Sequence, residues 1–251
     1  LLQLGAHELV FLARHGLQHT LLPHEINYRA NIYALKLHGV THVISVCAVG
    51  SLQEEIHPGH LVLPDQFFDR TRGRREDTFF GGGLVAHVPF GDPVCPALRA
   101  ALAQAGRACG AALHDGGTYV NMEGPAFSTR AESNWYRANG AAVIGMTNLT
   151  EAKLAREAEL CYAAIAQVTD YDCWHTAHAD VTIAGILALL KQTSAMTMTV
   201  LSEFLRTWAA PADCACRHAL RTAFVTPWAA VPPQTLNAVR ALVAPYLQEP
   251  Q

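Results

Sequence analysis

Asp170 and Asp172 are the two side chains in this sequence best placed to do chemistry. They stand two apart in Val168-Thr169-Asp170-Tyr171-Asp172-Cys173-Trp174, after the apolar run Cys161 to Ala166. Residues i and i+2 of extended backbone share a face, so both carboxylates project to one side where a strand leaves the core. Carboxylates are seldom buried without a partner, and this pair calls for a ligand carrying ring N–H and amino donors. A second set is Ala13-Arg14-His15-Gly16. There a guanidinium and an imidazole meet at a glycine turn, a frequent place to hold an anion, although a surface Arg and His beside a turn read the same way.

The elements that must position these groups alternate. A strand-like segment runs from Glu8 to Ala13, and an amphipathic helix from Asn27 to Leu37 carries Ile32, Leu35 and Tyr28 on one face, with an Asn cap and Gly39 as its stop. His42 to Val49 is a continuous β-branched run suited to a strand covered on both faces, ending at Gly50-Ser51-Leu52 where a ligand would sit. Leu61 to Phe68 reads as the next strand, and Asp69 to Pro93 as an extended excursion without periodicity, either mobile or capping a neighbour's pocket. An Ala-rich helix from Pro96 to Cys109 and a strand from Gly117 to Met122 follow. Thr129-x-x-Glu132 predicts a capping box, with Glu123 and Ser128 in the loop above it. Strand Ala141 to Gly145 leads to Asn148-x-x-Glu151, read as the cap of a helix over Ala152 to Ala158. Strand Cys161 to Val168 delivers the aspartates. A helix from Thr182 to about Trp208 has Ile183, Ile186, Leu187 and Leu190 at helical spacing, and a last helix spans Gln234 to Tyr246. This alternation predicts a three-layer α/β/α sandwich around a mixed sheet. One domain is expected over 1–251, with 209–251 as a C-terminal turn and helix packed on it.

The composition narrows the partners. Hydrophobic residues make up 51% of the 251 and charged residues 16%, which points to surface buried between subunits. A net charge of −3 gives no nucleic-acid footprint, and Arg70 to Arg75 reads as a solvated loop. No apolar run is long enough for a membrane helix and no signal sequence opens the chain, so a cytoplasmic protein is expected. The seven cysteines make no disulfide framework. Cys214-Ala215-Cys216 reads as reduced thiols in a packed turn, the alternatives being a strained redox pair or a bridge to another cysteine. No Cys/His spacing suggests zinc, so no metal is expected.

Seven motifs carry a resemblance over almost the whole chain: Ala-Arg-His-Gly at 13–16, Asn-Tyr-Arg-Ala-Asn at 27–31, Ala-Val-Gly-Ser-Leu at 48–52, Asp-Gln-Phe-Phe-Asp-Arg-Thr at 65–71, Glu-Gly-Pro-Ala-Phe-Ser at 123–128, Gly-Met-Thr-Asn at 145–148 and Thr-Asp-Tyr-Asp-Cys-Trp at 169–174. In order and content they resemble the 5'-methylthioadenosine phosphorylases, a branch of the trimeric purine nucleoside phosphorylases. The resemblance implies phosphorolysis of S-methyl-5'-thioadenosine, in purine and methionine salvage, by a homotrimer that uses phosphate as co-substrate and no cofactor. It further implies that Asp170 donates a proton to purine N7 while Asp172 accepts from the exocyclic amine, although the roles could be exchanged or shared. Ser128 would reach the base through water and Met146 would lie under the ribose. Arg14, His15, Cys47, Ala48 and Thr147 would bind phosphate. Ile183, Ile186 and Leu187 would receive the methylthio group, with His87 supplied across a subunit boundary. Two aspartates favour 6-aminopurines, because oxopurine members of the family carry Asn in place of the first. Two departures stand out. The family's Gly-rich phosphate loop has no counterpart, which suggests an N-terminally incomplete sequence, and Cys47 replaces a hydroxyl residue, a weaker donor. The alternatives are a broader adenosine or inosine phosphorylase and a catalytically silent nucleoside-binding protein.

Overall fold

The computed structural model describes residues 2–5, 7–175 and 183–247; at 183, 184, 186 and 188 only the helical backbone is described. In chain order the elements are β1 (Leu2–Leu4), β2 (His7–Leu9), α1 (Tyr28–Leu37), β3 (His42–Ser51), β4 (Leu61–Leu63), β5 (Gln66–Arg70), α2 (Pro96–Ala108), β6 (Leu113–Asp115), β7 (Thr118–Met122), α3 (Arg130–Ala138), β8 (Ala141–Gly145), α4 (Asn148–Glu157), β9 (Cys161–Tyr171), α5 (Ile183–Thr207), α6 (Pro233–Ala238) and α7 (Arg240–Val243). Seven strands form one mixed sheet in the order β5-β7-β8-β3-β9-β4-β6. The central pair β3 and β9 runs parallel, whereas β8 and β4 join them antiparallel.

Strand β9 shows why the layers number three. Its side chains alternate, so Cys161, Ala163 and Ile165 pack with Leu98, Leu102, Val200 and Phe204 of α2 and α5. Tyr162 and Ala164 face the other way, toward Ile32 and Leu35 of α1, Leu154 and Ala155 of α4, and Leu220 and Leu242 near the C-terminus. A strand buried on both sides needs the continuous apolar run that the sequence has there.

Several expectations change. Of the segment 8–13 only Glu8 and Leu9 are strand, and with His7 they pair with β1 in a separate two-stranded sheet. The run Leu61 to Phe68 is two strands, because Pro64 cannot donate to a ladder. Leu61–Leu63 pairs with β9 and β6, while Gln66–Arg70 crosses to pair with β7 at the opposite edge. The segment 69–93 is pinned: Leu84 and Phe80 enter the core, and Arg75, read as solvated, is buried against Glu123 at 3.1 Å. Asn148 is not a cap. Helix α4 already begins there, Thr147 precedes it, and the Asn148 amide donates instead to Ser45 and Tyr162. The last helix divides into α6, α7 and a short 3₁₀ turn, Ala244–Tyr246. The Thr129–Glu132 capping box forms with both reciprocal bonds.

Candidate active site

A cavity of about 600 Å³ opens beside the C-terminal ends of β3 and β9, where open α/β sheets bind ligands. Its acid end is built by a bulge. Val49 pairs with Val168 but Gly50 pairs with Asp170, leaving Thr169 as the extra residue, and the bent strand presents Asp170 and Asp172 to the cavity. Gly50 packs closely beneath them. A Cβ there would lie 3.0 Å from Asp170 Oδ1 and 3.3 Å from Asp172 Cβ.

Burial is the main influence on both acids. It raises the Asp170 pKa to about 6; the Thr169 hydroxyl, 2.7 Å from Oδ2, opposes the shift and the charge of Asp172 adds to it. Burial also raises Asp172, against the lowering effects of Ser133, the Cys173 backbone and Ser128. Asp172 Oδ2 is buried and finds no hydrogen-bond partner among the described residues. Such an atom costs free energy until a donor reaches it. This end can therefore hold a proton at near-neutral pH and accept one more hydrogen bond.

The other end is suited to an anion. Cys47 precedes Gly50 by three residues along β3, about 10 Å of strand, and Cys47, Ala48, Thr147 and His15 all line the cavity. Thr147 leads into α4, whose N-terminal amides and dipole favour negative charge. Cys47 is a neutral thiol, because burial pushes its pKa up to about 12. His15 is lowered by partial burial, against the effect of its Nδ1 contact with Leu21 O at 2.8 Å, and it stacks on His19. Arg14 also lines this end, but its guanidinium is already engaged by Glu151, Ser45 Oγ and the Val46 carbonyl. Burial disfavours the Arg14 charge, and Glu151 more than restores it, holding the pKa above its ordinary value.

Met146 lines the cavity between the two ends, and its carbonyl accepts from the buried Arg75 guanidinium. Ser128 does not line the cavity but lies beside Asp172. Leu187 is 61% exposed and does not line it either, whereas Leu190 on the same helix does. His87 is exposed on the segment 69–93, away from this cavity. The side chains of Ile183 and Ile186 lie outside the described residues.

Residues 3–206 match the family model described as "Phosphorylase superfamily". The S-methyl-5'-thioadenosine phosphorylase of Geobacter sulfurreducens is 55% identical over 95% of this chain and 84% of its own length. That of Thermosynechococcus vestitus is 52% identical over 98% and 86%. A methylthioadenosine phosphorylase sourced from an antarctic soil metagenomic library has a solved structure with TM-score 0.87 and 46% identity, covering 92% of this chain and 82% of that one. The chain belongs to the methylthioadenosine phosphorylase family. A further structure of similar fold, at TM-score 0.74 and 38% identity over 77% of this chain and 75% of that one, is a mutant Schistosoma mansoni adenosine/methylthioadenosine phosphorylase in complex with adenine.

The residues near the cavity that local sequence patterns do not signal are supporting ones. Glu151 was assigned to a cap, yet it takes hydrogen bonds from Arg14, Ser45 and Tyr162. Gln167 lines the cavity with its amide held by Thr197 at 2.7 Å. Gly50 was signalled as a strand end near a ligand, but not as the close neighbour of the two aspartates. Leu190 was visible as the fourth position of the α5 stripe.

Proposed function

We propose that this chain catalyses phosphorolysis of S-methyl-5'-thioadenosine to adenine and S-methyl-5-thio-ribose 1-phosphate, using phosphate as co-substrate and no other cofactor. The observation that carries the reading is one cavity with a buried acid of raised pKa at one end and a helix N-terminus at the other. A phosphate oxygen forms the new bond to C1' as the C1'–N9 bond breaks, and the departing pair of electrons goes to the purine. Asp170 gives N7 its proton, which makes adenine a neutral leaving group, and regains one from water after release. Asp172 Oδ2 accepts from the exocyclic amine, a donor that a 6-oxopurine lacks. Ser128 supports that acid and reaches the base through water, and Met146 lies under the ribose.

At the phosphate end, Thr147, Ala48, His15 and the weaker donor Cys47 contact the anion. Arg14 acts there as a fixed positive charge shared with Glu151. Leu190 of α5 provides the apolar wall that faces the methylthio group. We further propose a cytoplasmic homotrimer in which His87 completes a neighbour's pocket. Exposed Phe68 and Trp135, in contact near the edge strand β5, support buried surface between subunits. No helix among the described residues is long and apolar enough to cross a membrane.

The test is adenine release from methylthioadenosine by the purified chain with and without phosphate, alongside adenosine and inosine. Phosphate-dependent release, fastest with methylthioadenosine, is expected. Adenine binding without phosphate-dependent turnover would overturn the proposal. Light scattering of the same sample should give three chains per particle.

A further inference from the structure

Far from the cavity, the fold gathers four cysteines that the sequence keeps apart. Cys95 precedes the first turn of α2, Cys161 opens β9, and Cys214 and Cys216 lie at and within the 3₁₀ turn Ala215–His218. Their sulfurs all lie within 4.8 Å of one another. Cys214 Sγ is 3.7 Å from Cys95 Sγ and 3.6 Å from Cys161 Sγ. A disulfide would place two sulfurs about 2.05 Å apart. Four thiolates about 2.3 Å from a tetrahedral zinc ion stand about 3.8 Å from each other. The two Cys214 separations fit the second arrangement, and the remaining pairs, all within 4.8 Å, are close enough to surround one ion.

The surroundings suit a charged centre. Cys95, Cys161 and Cys216 are buried, so the cluster is shielded from water on most sides. Zinc with four thiolates carries a net charge of −2, which needs compensation in such a place. Arg217, next in sequence to Cys216, has a buried Nε with no hydrogen-bond partner among the described residues. Arg217 and Cys95 both lie close enough to His42 to act on its charge, which places the guanidinium on the cluster's side of the fold.

We propose that Cys95, Cys161, Cys214 and Cys216 form a structural tetrathiolate site for Zn²⁺. Binding replaces four S–H bonds by four Zn–S bonds and releases four protons, with no change of oxidation state. The site ties the segment after α5 to the starts of α2 and β9. Cys161 and Asp170 are nine residues apart on one strand, about 30 Å, so the metal takes no part in the reaction at the cavity.

Elemental analysis of the full chain, purified under reducing conditions from zinc-supplemented culture, should give one zinc per chain. X-ray absorption at the zinc edge should show four sulfur neighbours at about 2.3 Å. C214S should lower zinc content at least tenfold, and replacement by Co²⁺ should give the visible bands of a tetrahedral thiolate centre. Wild-type protein that is metal-free in the presence of excess zinc would overturn the proposal, whether its thiols are free or its mass is lower by two or four hydrogens through disulfides. These measurements use wild-type protein, so they remain decisive if C214S does not fold.

Discussion

Two charged groups meet the same cavity in opposite conditions. Arg14 is engaged on every nitrogen: Glu151, Ser45 and the Val46 carbonyl take four of its five N–H donors, and Tyr162 and Asn148 extend the network behind them. Asp172 keeps one buried oxygen without a partner, and Asp170 has a single hydroxyl on Oδ2. A charge whose bonds are made before a ligand arrives contributes rigidity and a fixed field. An acid left short of partners holds its proton and waits for a donor. The first arrangement belongs to architecture and the second to chemistry.

Removing the acid should separate these most sharply. Asp170→Asn should lower turnover of methylthioadenosine by roughly 10²- to 10⁴-fold, while adenine affinity changes far less. Steady-state kinetics and calorimetry would check this, and unchanged turnover would remove Asp170 from the proton-transfer step. On the Arg14 side the loss should appear as stability. Glu151→Gln keeps the size and hydrogen-bonding shape but strips the charge from a largely buried pair, and should cost roughly 3 kcal/mol in denaturant unfolding. A loss confined to catalysis would show that the two ends are not different in kind.

The acid end should also reveal its cost in the absence of ligand. Asp170 is held at about 6 against an ordinary 3.8. The folded state therefore binds the proton more tightly, and the stabilisation present at low pH is lost as pH rises from about 3.8 to about 6. At neutral pH this amounts to roughly 3 kcal/mol of destabilisation, so the Asn variant that loses activity should gain melting temperature. Its stability should also vary less with pH over that interval. In the wild type, kcat/KM should fall above about pH 6 as the free acid ionises. The smallest effect is expected at the apolar wall, where Leu190→Ala should reduce the preference for methylthioadenosine over adenosine by about tenfold or less.

What was legible from the sequence followed local rules. The apolar runs of β3 and β9, the Asn27 cap of α1, the Pro start of α2 and the Thr129–Glu132 box depend on residues within one or two turns of each other, and they formed. The aspartate pair was readable for the same reason. Pro64 splitting the run into two strands could be suspected locally, but that one half would pair between β9 and β6 and the other at the far edge beside β7 could not. Glu151 shows the limit. At three residues past Asn148 it fits a cap by spacing, and only the distant Arg14 and the opposing Ser45 claim it for the core. The four cysteines are likewise invisible to spacing, since Cys95, Cys161 and the Cys214–Cys216 pair meet only after the sheet is assembled.

Gly50 gives the acid pair a peculiar fragility. Asp170 Oδ1 and Asp172 Cβ pack close to where a side chain at position 50 would begin, while Leu52 and Val49 on either side are buried in the core. One methyl group at position 50 would press on the Asp170 carboxylate, on Asp172 and on Ile144, and would shift them by a few tenths of an ångström. The placing of both acids therefore depends on a residue that offers no side-chain atom of its own.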